Sequence, residues 1–343
     1  MSFLEEITKK YQTMSIIGMS KNSGKTVTLN HILSMADEDG IPIGITSIGR
    51  DGERMDLVTE TEKPTIYLTR GSLVATTTEL LKLSDAVIEI LEMTSYETPL
   101  GSVLLGRVKY DGYIQISGPQ TLAETKVLLD KMLDYGAELA ILDGAIDRKT
   151  SAAPEITQCA ILASGASVHR SMTEVVKKTA YVASLFSLPV IDLYRDQIGD
   201  LFAKNTYGTI SEEGQVKEIP LQTSLNAGKK IAVEFEEDTK IVVLSGALTG
   251  KTLVELVDSA NNLQEMIFVV KDATKIFVPE RDLKKCQRRG LNLALFHKSD
   301  LVMVTVNPFA TQGYRFDPFM FKESMQAALK EIPVEDVMMG ESS

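Results

Sequence analysis

The chain has 343 residues, of which 44% are hydrophobic and 24% are charged, and its formal net charge is −11. This length predicts about two domains or one large α/β unit. The composition excludes a chain that is disordered throughout, because enough apolar residues are present to form a core. The acidic balance argues against nucleic acid and membranes as partners, since duplex nucleic acid and anionic membranes attract basic surfaces.

The cysteines and the N-terminal sequence indicate the compartment. Cys159 and Cys286 are the only cysteines, and they lack the CxxC spacing typical of a zinc site. Two such distant residues provide no disulfide framework, so we expect a reduced, cytoplasmic environment. The N-terminal sequence MSFLEEITKK lacks the apolar run of a signal peptide. No apolar run approaches the roughly 20 residues of a membrane-spanning helix.

Short β-branched runs alternate with helical stretches along the first half of the chain, which is typical of a parallel sheet covered by helices. In chain order, the pattern predicts a strand at 14–18, a helix at 26–36, strands at 41–48 and 65–69, a helix at 79–82, strands at 85–92 and 112–116, a helix at 121–135, strands at 139–142 and 159–163, a helix at 172–186 and a strand at 189–193. The run at 139–142 is fully apolar, which predicts a strand that is buried on both faces.

Polar residues and glycines dominate between residues 196 and 230, and the alternation then resumes. The later part predicts a strand at 241–244, a helix at 252–259, a strand at 266–270, a helix at 281–289, strands at 292–296 and 301–306, and a helix at 318–329. We therefore predict a doubly wound, P-loop NTPase-like α/β domain at 1–195, a connecting arm or hairpin at 196–230, and a smaller α/β domain at 231–343. The pattern leaves open whether the two α/β units share one sheet.

The clearest motif is GMSKNSGKT, which runs from Gly18 to Thr26 between a predicted strand and a predicted helix. Ser23 and Gly24 allow the backbone to curl so that its N–H groups point at phosphate oxygens, and the helix dipole adds to their attraction. Lys25 would reach the β- and γ-phosphates, and Thr26 would bind Mg²⁺. The alternative is a glycine turn that only opens a helix.

The spacing departs from the usual G-x-x-x-x-G-K-[ST] pattern, because Met19 stands where the first glycine is expected and Gly18 lies one residue earlier. This spacing resembles the loops of dethiobiotin synthetase and of the cobyrinic and cobyric acid synthetases. The resemblance implies a branch of P-loop proteins with mainly parallel sheets and often with sites shared by two subunits.

Carboxylates at strand ends are the candidate metal ligands. Asp143 follows the apolar run at 139–142, as in a Walker B strand, where a carboxylate holds Mg²⁺ through its water shell. Asp51 ends the second predicted strand and, in the resembling branch, an acidic residue at this point often contacts Mg²⁺. For each the alternative is a turn or capping role, and Arg148 is either a clamp for an anionic ligand or a surface ion-pair partner.

These considerations define a predicted ATP·Mg²⁺ site. Its nucleotide-binding residues are Gly18, Lys21, Asn22, Ser23, Gly24, Lys25, Thr26 and Arg148, its metal ligands are Thr26, Asp143 and Asp51, and its catalytic residues are Lys25, Asp143 and Asp51. No Asn-Lys-x-Asp guanine-binding motif follows in the first half of the chain, which favours ATP over GTP.

Two later segments qualify as secondary candidates. SGALTGKT, at 245–252, again precedes a predicted helix, but its loop is too short to wrap a triphosphate in the usual way. A plain strand-to-helix turn, or a loop that faces a partner, is therefore the preferred interpretation. Phe309, Tyr314 and Phe316 lie in a loop after an apolar run, where they either fold back onto the domain or face a protein partner.

Taken together, GMSKNSGKT, LDGAIDRK, VVLSGALTGKT and VNPFATQGYRFDP resemble the smaller subunit of the lysine 5,6-aminomutase reactivase of amino-acid-fermenting anaerobes. The resemblance covers most of the chain. It implies an ATP-hydrolysing, chaperone-like pair, formed with a mismatch-repair-like ATPase subunit, that rescues an adenosylcobalamin-dependent aminomutase. The sequence itself has no D-x-H-x-x-G cobalamin-binding motif.

Three functions are therefore open. The leading one is an ATP-binding reactivase subunit, with slow basal ATPase activity, in a homo- or hetero-oligomer. The second is an ATP-dependent ligase or kinase of the dethiobiotin synthetase type, and the third is a GTPase-like metallocentre or cofactor chaperone. An enzyme requires convergent polar groups around a pocket beside the loop, whereas a partner-driven ATPase requires an exposed docking patch.

Overall fold

A computed structural model of the chain describes residues 1–48, 65–144, 149–221, 227–260 and 263–338. The strands are β1 (Thr13–Gly18), β2 (Ile43–Ser47), β3 (Ile66–Leu68), β4 (Leu73–Thr77), β5 (Val87–Thr98), β6 (Gly101–Tyr110), β7 (Gly112–Ile114), β8 (Leu139–Asp143), β9 (Cys159–Gly165), β10 (Tyr207–Ser211), β11 (Val216–Ile219), β12 (Thr239–Leu244), β13 (Leu248–Thr249), β14 (Ile267–Val270), β15 (Ile276–Phe277), β16 (Asn292–Leu295), β17 (Asp300–Asn307) and β18 (Val334–Asp336).

The helices are α1 (Phe3–Thr8), α2 (Lys25–Asp39), α3 (Thr78–Leu81), α4 (Leu122–Asp134), α5 (Met172–Phe186), α6 (Arg195–Ala203), α7 (Ala227–Ala232), α8 (Gly250–Ser259), α9 (Glu280–Arg288) and α10 (Pro318–Leu329). No helix within the described ranges is both long enough and apolar enough to cross a membrane.

The first unit of the chain comprises Met1–Ala180 and Asp300–Ser343, and it contains a nine-stranded sheet. The strand order is β18-β17-β9-β1-β8-β2-β4-β6-β5. Neighbours from β18 to β4 are parallel, and β6 and β5 add an antiparallel edge. The prediction of a mainly parallel α/β sheet is therefore confirmed.

Strand β8 shows why its sequence is fully apolar. Leu139 and Ile141 join a buried cluster that includes α1 and α2, whereas Ala140 and Leu142 join a second cluster that includes α4. Successive side chains of a strand point to opposite faces, so both faces of this sheet are covered. The predicted burial of 139–142 on both faces is confirmed.

The second unit, Tyr181–Ser299, has its own five-stranded sheet in the order β11-β10-β12-β14-β16. Strands β12, β14 and β16 are parallel, and the β10–β11 hairpin pairs antiparallel to β12. Helix α6 covers one face through Ile198, Leu201 and Phe202. This unit is a small α/β fold inserted in the sequence between β9 and β17.

The structure divides the chain differently from the predicted boundaries of 1–195, 196–230 and 231–343. Segment 196–230 contains the β10–β11 hairpin, one of the two predicted alternatives, but it is not a separate element, because β10 also hydrogen-bonds to β12 within the second sheet. The predicted strand at 301–306 belongs to β17, which pairs in parallel with β9 in the first sheet. The apolar residues Met303, Val304 and Val306 are buried there, and this burial returns the C-terminal segment to the first unit.

Other differences concern elements with weak sequence signals. Strand β6 contains two glycines, Gly101 and Gly106, which interrupt the β-branched pattern, and the sequence did not predict it. Strand β4 and helices α1 and α6 were also not predicted. In place of the predicted strand at 189–193, the structure has one isolated β-bridge, between Val190 and Leu295.

An ion pair joins α2 to the last strand and should make stability depend on pH. His31 Nε2 lies 3.5 Å from Glu335 Oε1. Ion pairing with Glu335 raises the pKa of His31 above 6.5, against the opposing effect of desolvation, and Glu38 adds to the rise. The same pair, helped by Lys322, holds the pKa of Glu335 below 4.5 although burial opposes it.

We predict that His31→Gln lowers the free energy of unfolding by roughly 0.2–1 kcal/mol near pH 5–6, the range for partly exposed pairs. The contribution of His31 is complete below its unfolded pKa and is lost as pH rises through its raised folded pKa. The contribution of Glu335 to the free energy of unfolding is lost as pH falls through its lowered folded pKa. Urea unfolding of His31→Gln, with the exposed His169→Gln as control, measures this. A His31→Gln deficit that is equal at pH 5.5 and pH 9 would contradict it.

Candidate functional site

The loop from Gly18 to Thr26 lies at the carboxyl end of the central strand β1. This strand is hydrogen-bonded to β8 on one side and to β9 on the other. The loop is followed at once by α2, which begins at Lys25. The strand, loop and helix predicted for the GMSKNSGKT motif are therefore present. The loop lies at the carboxyl ends of the parallel strands, where ligands commonly bind.

Two loop residues have left-handed backbone conformations, Asn22 with φ of 62° and Gly24 with φ of 100°. Gly24 is the residue immediately before α2. A β-carbon added there would lie 3.0 Å from Asn307 Cβ, in addition to the strain of its positive φ. Glycine is thus required at position 24 for both conformation and space.

The first turn of α2 is uncapped among the described residues. No side chain there accepts a hydrogen bond at the start of this helix, because the capping position is Gly24. The first N–H groups of a helix have no partner within the helix, and together with the helix dipole they attract anions. The start of α2 is therefore a suitable site for phosphate oxygens.

Gly18 explains the unusual spacing of the motif. A β-carbon at Gly18 would lie 2.7 Å from Ser23 Oγ and 2.9 Å from Lys25 Cγ and Cδ. The side chains of Ser23 and Lys25 thus fold over the Gly18 backbone. Met19 is fixed differently, because its N–H donates to the carbonyl of Ala163 in β9, at 2.9 Å. The close approach that requires glycine is at position 18, and not at position 19.

Lys25 and Asp143 are brought to the same sheet edge. The Nζ of Lys25 donates to the carbonyl of Gly144 at 2.8 Å, and Gly144 follows Asp143 at the end of β8. In the β1–β8 pairing, Asp143 is the register partner of Ile16, close to the start of the loop. The Oδ1 atom of Asp143 is buried. A cation and a carboxylate therefore lie at the carboxyl ends of β1 and β8, close to the start of the loop.

The other predicted site residues lie in different environments or outside the described residues. Thr26 is half-buried in the first turn of α2, and Lys21 and Asn22 are exposed in the loop. Asp51 and Arg148 lie outside the described residues. Among the residues that are described, no group of three His, Cys, Asp or Glu side chains could hold a metal ion.

The donor set fits Mg²⁺ rather than a metal held by protein side chains alone. Thr26 provides a hydroxyl and Asp143 a carboxylate, and Mg²⁺ sites at phosphates commonly use one or two such oxygens, with water and phosphate oxygens completing the shell. Thr26 and Asp143 are thus suited to hold Mg²⁺ only together with a bound phosphate ligand.

Sequence reasoning missed the residues that flank the loop on the side of β9 and β17. Asn307, the last residue of β17, packs against Gly24, and its Oδ1 accepts from the N–H of Phe309 at 3.0 Å. A β-carbon at Gly165 would lie 3.1 Å from the carbonyl of Ser23. The sequence does contain a signal, because Asn307 is a polar residue directly after the apolar run at 301–306. We interpreted Asn307 only as part of the loop that contains Phe309, Tyr314 and Phe316.

The aromatic residues of the loop that contains Phe309, Tyr314 and Phe316 were predicted either to fold back onto the domain or to face a partner, and the structure shows both arrangements. Phe316 folds back, with 9% exposure and its ring 5.2 Å from that of Phe321. Tyr314 donates its hydroxyl to the carbonyl of Ala166 at 2.6 Å, and Arg170 lies over its ring. Phe309 is 42% exposed. Phe309 is therefore the aromatic side chain of this loop that a partner could contact.

The second GKT sequence has a different local structure. Thr249 lies just before α8 and accepts a hydrogen bond from the N–H of Thr252 at 3.2 Å. The start of α8 is thus capped by a side chain. The Lys251 side chain is 66% exposed, and its Nζ lies 3.8 Å from Oε1 of Glu255. This geometry is consistent with the preferred interpretation of a plain strand-to-helix turn.

Comparison with known proteins provides no independent assignment. No protein-family model, no curated protein and no solved structure matches the chain. The residues and geometry of the loop between β1 and α2 are therefore the basis on which a function can be assigned.

Proposed function

We propose that the chain binds the phosphates of a nucleotide, ATP with Mg²⁺, in the loop from Gly18 to Thr26. The observation that carries this proposal is the uncapped start of α2, preceded by a left-handed Gly24 and followed by Lys25. The first N–H groups of an uncapped helix need an acceptor from outside the helix, and at the carboxyl ends of parallel strands a bound anion is well placed to provide it. The second GKT sequence lies at the start of α8, and that helix is capped by the side chain of Thr249. A GKT sequence therefore does not by itself leave a helix start uncapped.

The surroundings of the loop support an orientation for the nucleotide. Lys25 extends toward β8, where Asp143 also lies, so the terminal phosphate and Mg²⁺ belong on that side. The nucleoside then lies toward β9 and β17, near Asn307. The preference for ATP over GTP rests on the missing Asn-Lys-x-Asp sequence.

In this proposal each residue has a defined task. The N–H groups of the first turn of α2 and the Nζ of Lys25 bind phosphate oxygens and offset their charge. Thr26 and Asp143 hold Mg²⁺, which when bound neutralises charge that develops on the phosphates during transfer. Asp51 and Arg148 remain proposed contributors on their sequence positions alone.

We further propose that the nucleotide regulates binding to a protein, as in the reactivase that the sequence resembles. The partners would be a mismatch-repair-like ATPase subunit and a cobalamin-dependent aminomutase. The motif resemblance supports this choice, and so does the exposed Phe309, whose N–H is bonded to the loop-contacting Asn307. A nucleotide can change the affinity for a partner only if it binds two states of the protein differently. A small-molecule ligase or kinase is the competing outcome of the tests below.

The two GKT lysines provide a matched test of the binding site. We expect Lys25→Ala to weaken ATP·Mg²⁺ binding at least tenfold, since a charge-assisted hydrogen bond contributes roughly 1.5–3 kcal/mol. Lys251→Ala should leave the affinity within about twofold, because α8 is already capped. Isothermal titration calorimetry measures both, and circular dichroism checks folding. Equal losses in the two variants, or none in Lys25→Ala, would contradict the assignment.

Asp143→Asn tests the metal role. We expect hydrolysis of ATP to fall at least tenfold while the ATP dissociation constant changes by less than about threefold. The reason is that a carboxylate holding Mg²⁺ contributes most when charge moves during phosphoryl transfer. The measurement is single-turnover hydrolysis, with Asp134→Asn, at the end of the neighbouring helix α4, as control. Unchanged hydrolysis would assign Asp143 a capping role.

The regulatory proposal predicts that ATP changes affinity for the partner by roughly 5–150-fold and that the partner changes ATP affinity by the same factor. The purified chain alone should hydrolyse ATP slowly. Partner binding with and without ATP·Mg²⁺ is measured by biolayer interferometry, using the aminomutase and the companion ATPase, with Lys25→Ala as control. Rapid ATP consumption that requires only a small carboxylate or amine would support the ligase or kinase instead.

A further inference from the structure

Ser23 presents a buried hydroxyl inside the loop. The residue is 1% exposed, and its Oγ has no hydrogen-bond partner among the described residues. A buried polar group without a partner is unfavourable, and such groups are uncommon in folded proteins. Its presence in a loop that also contains an uncapped helix start indicates a partner that arrives with a ligand.

The position of this hydroxyl is fixed by its neighbours. The Oγ points to the Gly18 backbone, because a β-carbon at Gly18 would lie 2.7 Å from it. The aliphatic part of Lys25 converges on the same point, at 2.9 Å. Ser23 Oγ therefore lies on the inner side of the loop, next to the aliphatic part of Lys25 and one residue before Gly24, which precedes α2.

The side chain that lies beside Ser23 is that of Lys25, the residue proposed to bind phosphate. Lys25 is half-buried and ends at the Gly144 carbonyl, whereas Ser23 and Gly18 are held by the loop backbone. A phosphate that draws the Lys25 ammonium toward itself would shift the lysine stem and uncover Ser23 Oγ. The hydroxyl would then have an acceptor within the same loop.

We propose that the Ser23 hydroxyl donates a hydrogen bond to a phosphate oxygen bound inside the loop. This proposal rests on the proposed phosphate site and adds a side-chain contact to its backbone N–H groups and lysine. The ligand chemistry is a polyphosphate, carried by a nucleotide or free as pyrophosphate. Because the contact is to phosphate and not to a base, the two ligands should be affected equally.

The chain provides a matched control in Ser15. This residue lies in the middle of β1, is 0% exposed, and its Oγ also has no hydrogen-bond partner among the described residues. It differs from Ser23 in that it lies in the strand, three residues before the loop begins at Gly18. Removing either hydroxyl relieves a buried polar group, but only Ser23 is placed to contact a phosphate.

The experiment compares Ser23→Ala with Ser15→Ala in the full chain by two readouts. Calorimetry with ATP·Mg²⁺, ADP·Mg²⁺ and pyrophosphate gives affinity, and urea unfolding without ligand gives stability. We expect Ser23→Ala to weaken each ligand by the same factor, roughly 10- to 100-fold, as for a hydrogen bond to a charged group. Its unfolding midpoint should be unchanged or raised. Ser15→Ala should show the same stability effect with affinities within about twofold.

The outcomes separate this proposal from the proposed function. If Ser23→Ala binds all three ligands normally while Lys25→Ala does not, the phosphate site stands and the role of Ser23 is overturned. A lowered unfolding midpoint in Ser23→Ala would mean that the hydroxyl has a protein partner in the free state, and would overturn the proposal as well. A wild-type chain that binds none of the three ligands at millimolar concentration overturns both.

Discussion

The site depends on one constraint, the left-handed backbone of Gly24 at the point where β1 gives way to α2. A residue with a side chain would be strained in this conformation and would also press on Asn307. Glycine satisfies both requirements but provides no capping oxygen, so the first turn of α2 keeps its N–H groups for another acceptor. The left-handed turn at Gly24 thus leaves the start of α2 uncapped, and an uncapped helix start favours a phosphate.

The two GKT sequences show that the same letters can have different physical meanings. Before α8, Thr249 has an extended backbone and its hydroxyl accepts from the helix, so that end is satisfied within the protein. Before α2, Gly24 satisfies nothing. The two helix starts therefore differ in the residue at the capping position and its backbone conformation, together with the length of the preceding loop.

The sequence predicted the parts of the fold that depend on local pattern. The apolar run that forms β8 and the loop before α2 were both predicted, because burial on two faces and a strand–glycine–helix order leave clear signals. The placement of β17 next to β9 was not, since strand pairing depends on contacts between distant segments. For the same reason Asn307 was not predicted as a neighbour of Gly24. The sequence also could not show that Thr249 caps α8, which requires its backbone conformation.

The unsatisfied groups of the first unit include an informative pair. Both Ser15 and Ser23 are buried without a hydrogen-bond partner among the described residues, and each hydroxyl costs stability in the free chain. At Ser15 this cost has no explanation in the surrounding strand. At Ser23 the hydroxyl lies next to the uncapped start of α2, and the proposed phosphate would provide an acceptor for both. Functional sites commonly retain such unfavourable features, because the ligand and not the fold provides the missing interactions.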